Sequence, residues 1–164
     1  MGVEIERKFL VKKNWQPQGS GDEIAQGYLS SVPERTVRVR LRAGRGYLTI
    51  KGKNGGQDEA RRLEFEYGIP ADDARALLKL AEPGVIEKER FLEKAADGHL
   101  WEIDVFHGAN EGLRVAEVEL KDEAEPFIRP AWLGKEVTGD ARYYNASLTH
   151  CPFSRWKILD VKNR

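Results

Sequence analysis

One cysteine in 164 residues, Cys151, excludes an internal disulfide. Three histidines, His99, His107 and His150, are too scattered to form a recognisable zinc motif with that single thiol. No apolar run approaches the length of a membrane span. Neither sign of charge is in excess, since 27 Lys and Arg balance 27 Asp and Glu. A chain without a net field has no bulk means of collecting nucleic acid or anionic membrane, so neither is an expected partner and strong electrostatics must be local. The N-terminus is charged from Glu4 onward and carries Glu6 where myristoylation needs Ser or Thr. It reads as neither a signal peptide nor a lipidation site, and the expectation is cytoplasmic residence.

Phosphate-cradling glycine loops are also lacking. Gly44-Arg45-Gly46 has no third glycine in dinucleotide-binding spacing, and Gly52-Lys53-Asn54-Gly55-Gly56 lacks the G-x-x-x-x-G-K-[ST] order. Both read as hairpin turns. No repeat, low-complexity tract or shift of composition divides the chain, and its length suits one domain, residues 1–164.

What the chain has is alternation. Short runs rich in Val, Ile, Leu, Phe, Tyr and Thr, separated by Gly, Pro, Asn and Asp, read as strands near Val3–Val11, Glu23–Ser30, Thr36–Ala43, Gly46–Gly52, Arg61–Ile69, Val85–Lys94, His99–Phe106 and Arg114–Leu120. A helix starts at Pro70-Ala71-Asp72-Asp73, carries Leu77, Leu78 and Leu80, and stops before Pro83-Gly84. A second helical stretch follows Thr138-Gly139-Asp140, with Ala141, Tyr144, Asn145 and Leu148 on one face and Pro152 at its end.

The polar face of these strands is sorted by sign. Glu4, Glu6 and Lys8 share one face of the first strand, and Arg38, Arg40 and Arg42 share one face of the third. The fourth offers Lys51 and Lys53, the fifth Arg62, Glu64 and Glu66, and the sixth Lys88 and Arg90. Acids return in Glu102 and Asp104 of the seventh and in Glu117 and Glu119 of the eighth. Like charges two apart on a strand face lie roughly 6.5–7 Å from one another, which is unfavourable unless something of opposite charge sits above them. Paired carboxylates supply hard oxygen ligands for Mg²⁺ or Mn²⁺, and clustered Arg and Lys supply donors for a polyanion. A metal and a polyphosphate satisfy both sets. If the sheet closes with its charged face inward, the apolar outer face needs cover, which the two helices can partly provide.

Glu4-Ile5-Glu6-Arg7-Lys8 matches E-x-E-x-K, and the chain here resembles the CYTH, or triphosphate tunnel metalloenzyme, superfamily. Thr36–Arg40, Leu48–Lys51, Arg62–Glu66, Glu87–Arg90, Trp101–Phe106 and Ala116–Leu120 fall in that family's order. So does Gly134-Lys135-Glu136-Val137-Thr138, followed by Asp140, Arg142, Tyr143 and Asn145, as in its compact bacterial subgroup. The match spans about residues 2–149, leaving a tail over 150–164. The resemblance implies an α+β, mainly antiparallel fold: an eight-stranded closed β-barrel, a tunnel, with a few helices outside or at its ends.

It also implies roles. Glu4, Glu6 and Glu119 look like metal ligands, with Glu117, Glu64 and Asp104 as further carboxylates. Lys8, Arg38, Arg40, Lys51, Lys88 and Arg90 look like phosphate binders. Glu117, Glu119 and Lys88 are the candidate catalytic groups, with either glutamate available as general base. Tyr28 is a packing aromatic whose phenol, at a tunnel wall, can donate to a phosphate oxygen. Arg42, Lys53 and Arg62 read as rim charges or simple ion-pair partners.

The expected reaction is metal-dependent hydrolysis of inorganic triphosphate to pyrophosphate and phosphate, with Mg²⁺ or Mn²⁺ as cofactor and a small soluble triphosphate as partner. Thiamine or nucleoside triphosphate hydrolysis, ATP cyclisation as in class IV adenylyl cyclases, and non-catalytic binding of polyphosphate or nucleotide are the alternatives. Pairing of outer barrel faces leaves room for a homodimer.

Overall fold

A computed structural model describes residues 2–53 and 61–156. Strands β1 (Gly2–Val11), β2 (Asp22–Ser30), β3 (Arg35–Arg42), β4 (Arg45–Lys53), β5 (Arg61–Ile69), β6 (Ile86–Lys94), β7 (Leu100–Phe106) and β8 (Arg114–Glu119) form an antiparallel ring. Its order is β1-β5-β4-β3-β2-β6-β7-β8, closed by β8 pairing with β1. The eight expected strands are all present. The β3–β4 turn is the expected tight hairpin, with Arg42 opposite Arg45 and positive φ at Ala43 (48°) and Gly44 (78°). Asn54, Gly55 and Gly56 of the other expected turn lie outside the described residues, as does the tail from 157.

A ninth strand, β9 (Leu133–Glu136), was not expected. Only four residues long and holding Gly134, it carries no alternation a sequence can display. It forms because β1 changes partner along one edge: Gly2 to Ile5 pair with β5, while Phe9 and Val11 pair with Glu136 and Leu133. A Cβ on Gly134 would lie 2.9 Å from the Leu10 carbonyl oxygen, so this approach requires glycine.

Cross-strand register turns the sign-sorted faces inward, with Lys53 left exposed at the end of β4 beside Glu34. Glu6 stands opposite Glu119, Lys8 opposite Glu117, Arg90 opposite Asp104, and Lys51 opposite Glu64. The outer apolar face is covered in two ways. Helix α1 (Ala71–Leu80) lies on β2–β4. Gly27 and Gly46 let it approach, since a Cβ on either would come within 2.8 Å of Ala81 Cβ or 2.9 Å of Ala74 Cβ. Over β1, β7 and β8 the cover is not helical. Trp15, Phe127, Trp132 and Leu133, from the segments after β1 and β8, pack on Ile5, Phe9, Trp101, Ile103 and Val118. Phe9 is fully buried there, a contribution of about 1.5–3 kcal/mol for such a side chain.

The second helical stretch is split. A 3₁₀ turn at Ala141–Tyr143 ends at Tyr144, which is extended, and α2 (Asn145–His150) follows. The expected single face of Ala141, Tyr144, Asn145 and Leu148 therefore does not exist. Tyr143 and Leu148 are buried instead, with Leu10, Ile86, Phe106 and Val115, whose side chains fill the inside of the barrel at one end. One helix thus packs outside the tunnel and the other closes an end of it.

His99 does more than fill surface. Its Nδ1 lies 2.8 Å from Asp97 Oδ2 and its Nε2 lies 2.5 Å from Glu125 Oε2, fastening the β6–β7 hairpin to the covering segment. Hydrogen bonds to Asp97 and then Glu125 raise the imidazole above 6.5. Asp97 is lowered to about 2, first by the Ile128 N–H and then by His99. A raised histidine stabilises the fold fully below its unfolded value and loses that contribution as pH rises through the folded one. The difference in Tm between the wild type and His99→Gln should therefore be largest between about pH 4 and 6.5 and shrink as the pH rises through the raised folded value. Thermal unfolding followed by circular dichroism from pH 4 to 9 measures it, and a pH-independent gap would show a neutral ring.

Candidate active site

Ring order sets one wall against another. β1 and β8 bring Glu4, Glu6, Glu117 and Glu119 to one side, and β3, β2 and β6 bring Arg38, Arg40, Lys88 and Arg90 to the side across the ring. The mouth opposite the apolar seal holds a cavity of about 370 Å³, lined by Asp22, Arg40, Arg42, Ala43, Arg45, Tyr47 and Glu66.

On the acidic wall, Lys51 Nζ lies 2.7 Å from Glu4, 3.5 Å from Glu64 and 3.8 Å from Glu6. Burial disfavours its charge, but Glu6 and Glu4 outweigh burial and raise it. One ammonium does not satisfy this many acids. Glu4 is raised by burial and by Glu64, and Glu6 is raised strongly by burial and by Glu117. Burial opposes the Glu117 charge too, yet Lys8, 3.7 Å away, and the Glu6 carboxyl hold it low. Glu119 is exposed at the mouth and raised by desolvation, Glu4 and Glu102. Among the described residues no three His, Cys, Asp or Glu already converge on a point as metal ligands. The donor set nonetheless fits a divalent cation: hard oxygens, crowded, and short of positive charge.

On the basic wall, Lys88 is 2% exposed and Arg40 and Arg90 are each 7% exposed. Asp104 is held low against burial by Arg90, bonded at 2.7 and 2.9 Å, and by Lys88 at 2.7 Å. Both Asp104 oxygens, those of an expected metal carboxylate, are bonded by the cations of this wall. Burial pulls Lys88 down to about 7 despite Asp104, with Arg90 and Arg40 adding repulsion. Burial also pulls Arg40 down to about 9, helped by Arg38 and Arg90. Arg38 donates to Thr49 at 3.0 Å and Glu66 at 3.4 Å, while its buried Nε has no hydrogen-bond partner among the described residues. Such a surplus of buried, mutually repelling donors fits an anion. Tyr28 faces inward opposite Arg38 and is 6% exposed.

Lys51 therefore sits with the acids rather than with the other expected phosphate binders, and Lys8 bonds the Tyr143 carbonyl at 3.2 Å beside Glu117. Charge sorting missed the neutral side chains of the site: Thr49, which donates to Glu66 at 2.8 Å, and the amides of Gln26 and Asn145. Gln26 shares the inner face of β2 with Tyr28, a signal available from alternation; Asn145 is brought in by the seal alone.

Comparison with known proteins agrees with this architecture. Residues 2–149 match the CYTH domain. The chain is 44% identical over 159 residues to an inorganic triphosphatase of Acetivibrio thermocellus, covering 96% of this chain and 99% of that one. An inorganic triphosphatase of Nitrosomonas europaea is 39% identical over 150 residues, 89% of this chain and 96% of the other. The crystal structure of an inorganic triphosphatase superposes with a TM-score of 0.64 at 36% identity, covering 89% of this chain and 97% of that chain. A Bacillus halodurans protein at 17% identity, TM-score 0.57, covering 75% of this chain and 84% of its own, shares the fold. With the family's model spanning the barrel and its charged walls in register, the chain belongs to the CYTH domain family.

Proposed function

We propose that this protein is a hydrolase that cleaves inorganic triphosphate to pyrophosphate and phosphate. The observation that carries the reading is an acidic wall of Glu4, Glu6, Glu64 and Glu117 facing a basic wall of Arg38, Arg40, Lys88 and Arg90 inside a ring closed at one end by apolar side chains. A compact polyanion that brings its own affinity for a divalent cation complements both walls at once. Membership of the family implies a divalent metal. Glu4, Glu6 and Glu119, with Glu64 and Glu117 beside them, would hold Mg²⁺ or Mn²⁺, which when bound supplies positive charge for phosphoryl oxygens.

Phosphoryl transfer depends on charge neutralisation and alignment more than on covalent help. Arg38, Arg40 and Arg90 bind and orient the chain of phosphates, and Tyr28 donates from the wall. In its protonated form, which the charge of an incoming triphosphate favours, Lys88 keeps one N–H after bonding Asp104 and Asn145, and this suits it to the charge of the departing phosphate. Glu119 makes no ion pair with a described residue, so an oxygen that it does not give to the metal is available to take the proton from attacking water. Asp104 keeps Lys88 and Arg90 in place.

The same reading has the protein act in the cytoplasm on a small soluble substrate, without nucleic acid or membrane. No helix among the described residues is long and apolar enough to cross a membrane. Size-exclusion chromatography tests the homodimer.

Phosphate release from inorganic triphosphate, ATP and thiamine triphosphate, with Mg²⁺, Mn²⁺ or chelator, tests the function. Strong preference for inorganic triphosphate, lost with chelator, is expected. Preference for an organic triphosphate, cyclic AMP from ATP, or binding without turnover would each replace this reading with the matching alternative.

A further inference from the structure

Two neutral amides interrupt the charged lining. Gln26, fully buried on β2, accepts from Arg40 Nε at 2.8 Å through its Oε1. Its Nε2 donates to Asn145 Oδ1 at 3.0 Å, and the same Oδ1 accepts from Lys88 Nζ at 3.0 Å. The polarity of this path is forced. Guanidinium and ammonium groups only donate, so Gln26 must turn its oxygen to Arg40 and its NH₂ to Asn145, and Asn145 must offer its oxygen to both neighbours.

The path links cations on strands that do not touch. β3 carries Arg40 and β6 carries Lys88, with β2 between them, and Asn145 enters from the first residue of the helix that seals the barrel. Both amides are uncharged. A carboxylate at either position would pair with its cation and cancel charge that an anion needs, whereas an amide orients the cation and leaves the charge in place. Donors remain over: Arg40 spends only Nε on Gln26, and its Nη groups meet no acceptor among the described residues.

We propose that Gln26 and Asn145 are positioning residues, an uncharged relay that sets Arg40 and Lys88 at a fixed spacing for the phosphates of the substrate. The inference rests on the triphosphatase reading above and names two further residues on which substrate affinity depends.

Steady-state kinetics on inorganic triphosphate, with thermal unfolding alongside, test it in Gln26→Leu, Asn145→Leu, the double variant and Asn145→Asp. Each leucine variant should raise KM about tenfold or more, with kcat falling by less. The double variant should be no worse than the poorer single one, because one path is broken in each case. Asn145→Asp keeps the shape and an acceptor oxygen but adds charge beside Lys88, so KM should rise while Tm holds. A merely structural role would lower Tm and the active fraction and leave KM alone. Unchanged KM in the leucine variants or in Asn145→Asp, or effects that multiply in the double variant, would overturn the relay. Should a leucine variant fail to fold, Asn145→Asp decides. A wild type that does not turn over triphosphate sinks the reading beneath it; wild-type turnover with unchanged KM in the variants sinks the relay alone.

Discussion

Replacing Glu4 and Glu6 together with alanine is expected to lower kcat/KM for triphosphate by about a thousandfold or more, with the barrel intact. The two carboxylates are the core of the donor set proposed for the divalent cation, whose charge stabilisation is worth several kcal/mol in a phosphoryl transition state. Folding should survive because neither acid is comfortable where it stands: burial raises both. The Lys51 ammonium keeps Glu64 at 3.5 Å, so the double change leaves no orphaned charge. Phosphate release at saturating Mg²⁺ and Mn²⁺, with Tm measured in parallel, checks both halves. Activity within tenfold of wild type would mean that the metal binds elsewhere.

The second large effect is expected at Lys88. Lys88→Met should reduce turnover at least about a hundredfold, the scale of removing one preorganised donor, while raising Tm. The rise follows from the sign of the shift. Burial holds Lys88 near 7 against a reference of 10.5, so above about pH 7 the unfolded chain binds a proton that the native one releases. Stability from this group therefore climbs as pH rises between those values and is lost as pH falls. Methionine abolishes that slope, and Asp104 is not stranded, because Arg90 still bonds both its oxygens. Thermal unfolding of both proteins from pH 6 to 10 measures the effect. A lower Tm in the variant at every pH would show that Lys88 stabilises the fold rather than serving the substrate at its expense.

Much of the fold was legible because a strand's side chains alternate strictly. Once Arg38, Arg40 and Arg42 share a face, Val37, Val39 and Leu41 must share the other, and the same holds for every paired strand. Alternation cannot reveal β9, whose four residues pair only with the half of β1 that β5 leaves open. Nor can it show the break at Tyr144, set by Tyr143 entering the end of the barrel. Residue type likewise announces a charge but not its partner. Asp104 and Lys51, grouped by type with the acids and the bases, each have counter-ions of the opposite sign in the folded ring.

By itself the sequence determined that a sheet would have one charged and one apolar face, and that its acids and bases would lie on different strands, because local geometry dictates both. Tertiary structure alone decided which end is sealed and where each buried charge finds its counter-ion. It also brought Asn145, far along the chain, between Gln26 and Lys88. Those outcomes depend on ring closure, which makes neighbours of residues more than a hundred positions apart and removes the water that would otherwise screen them.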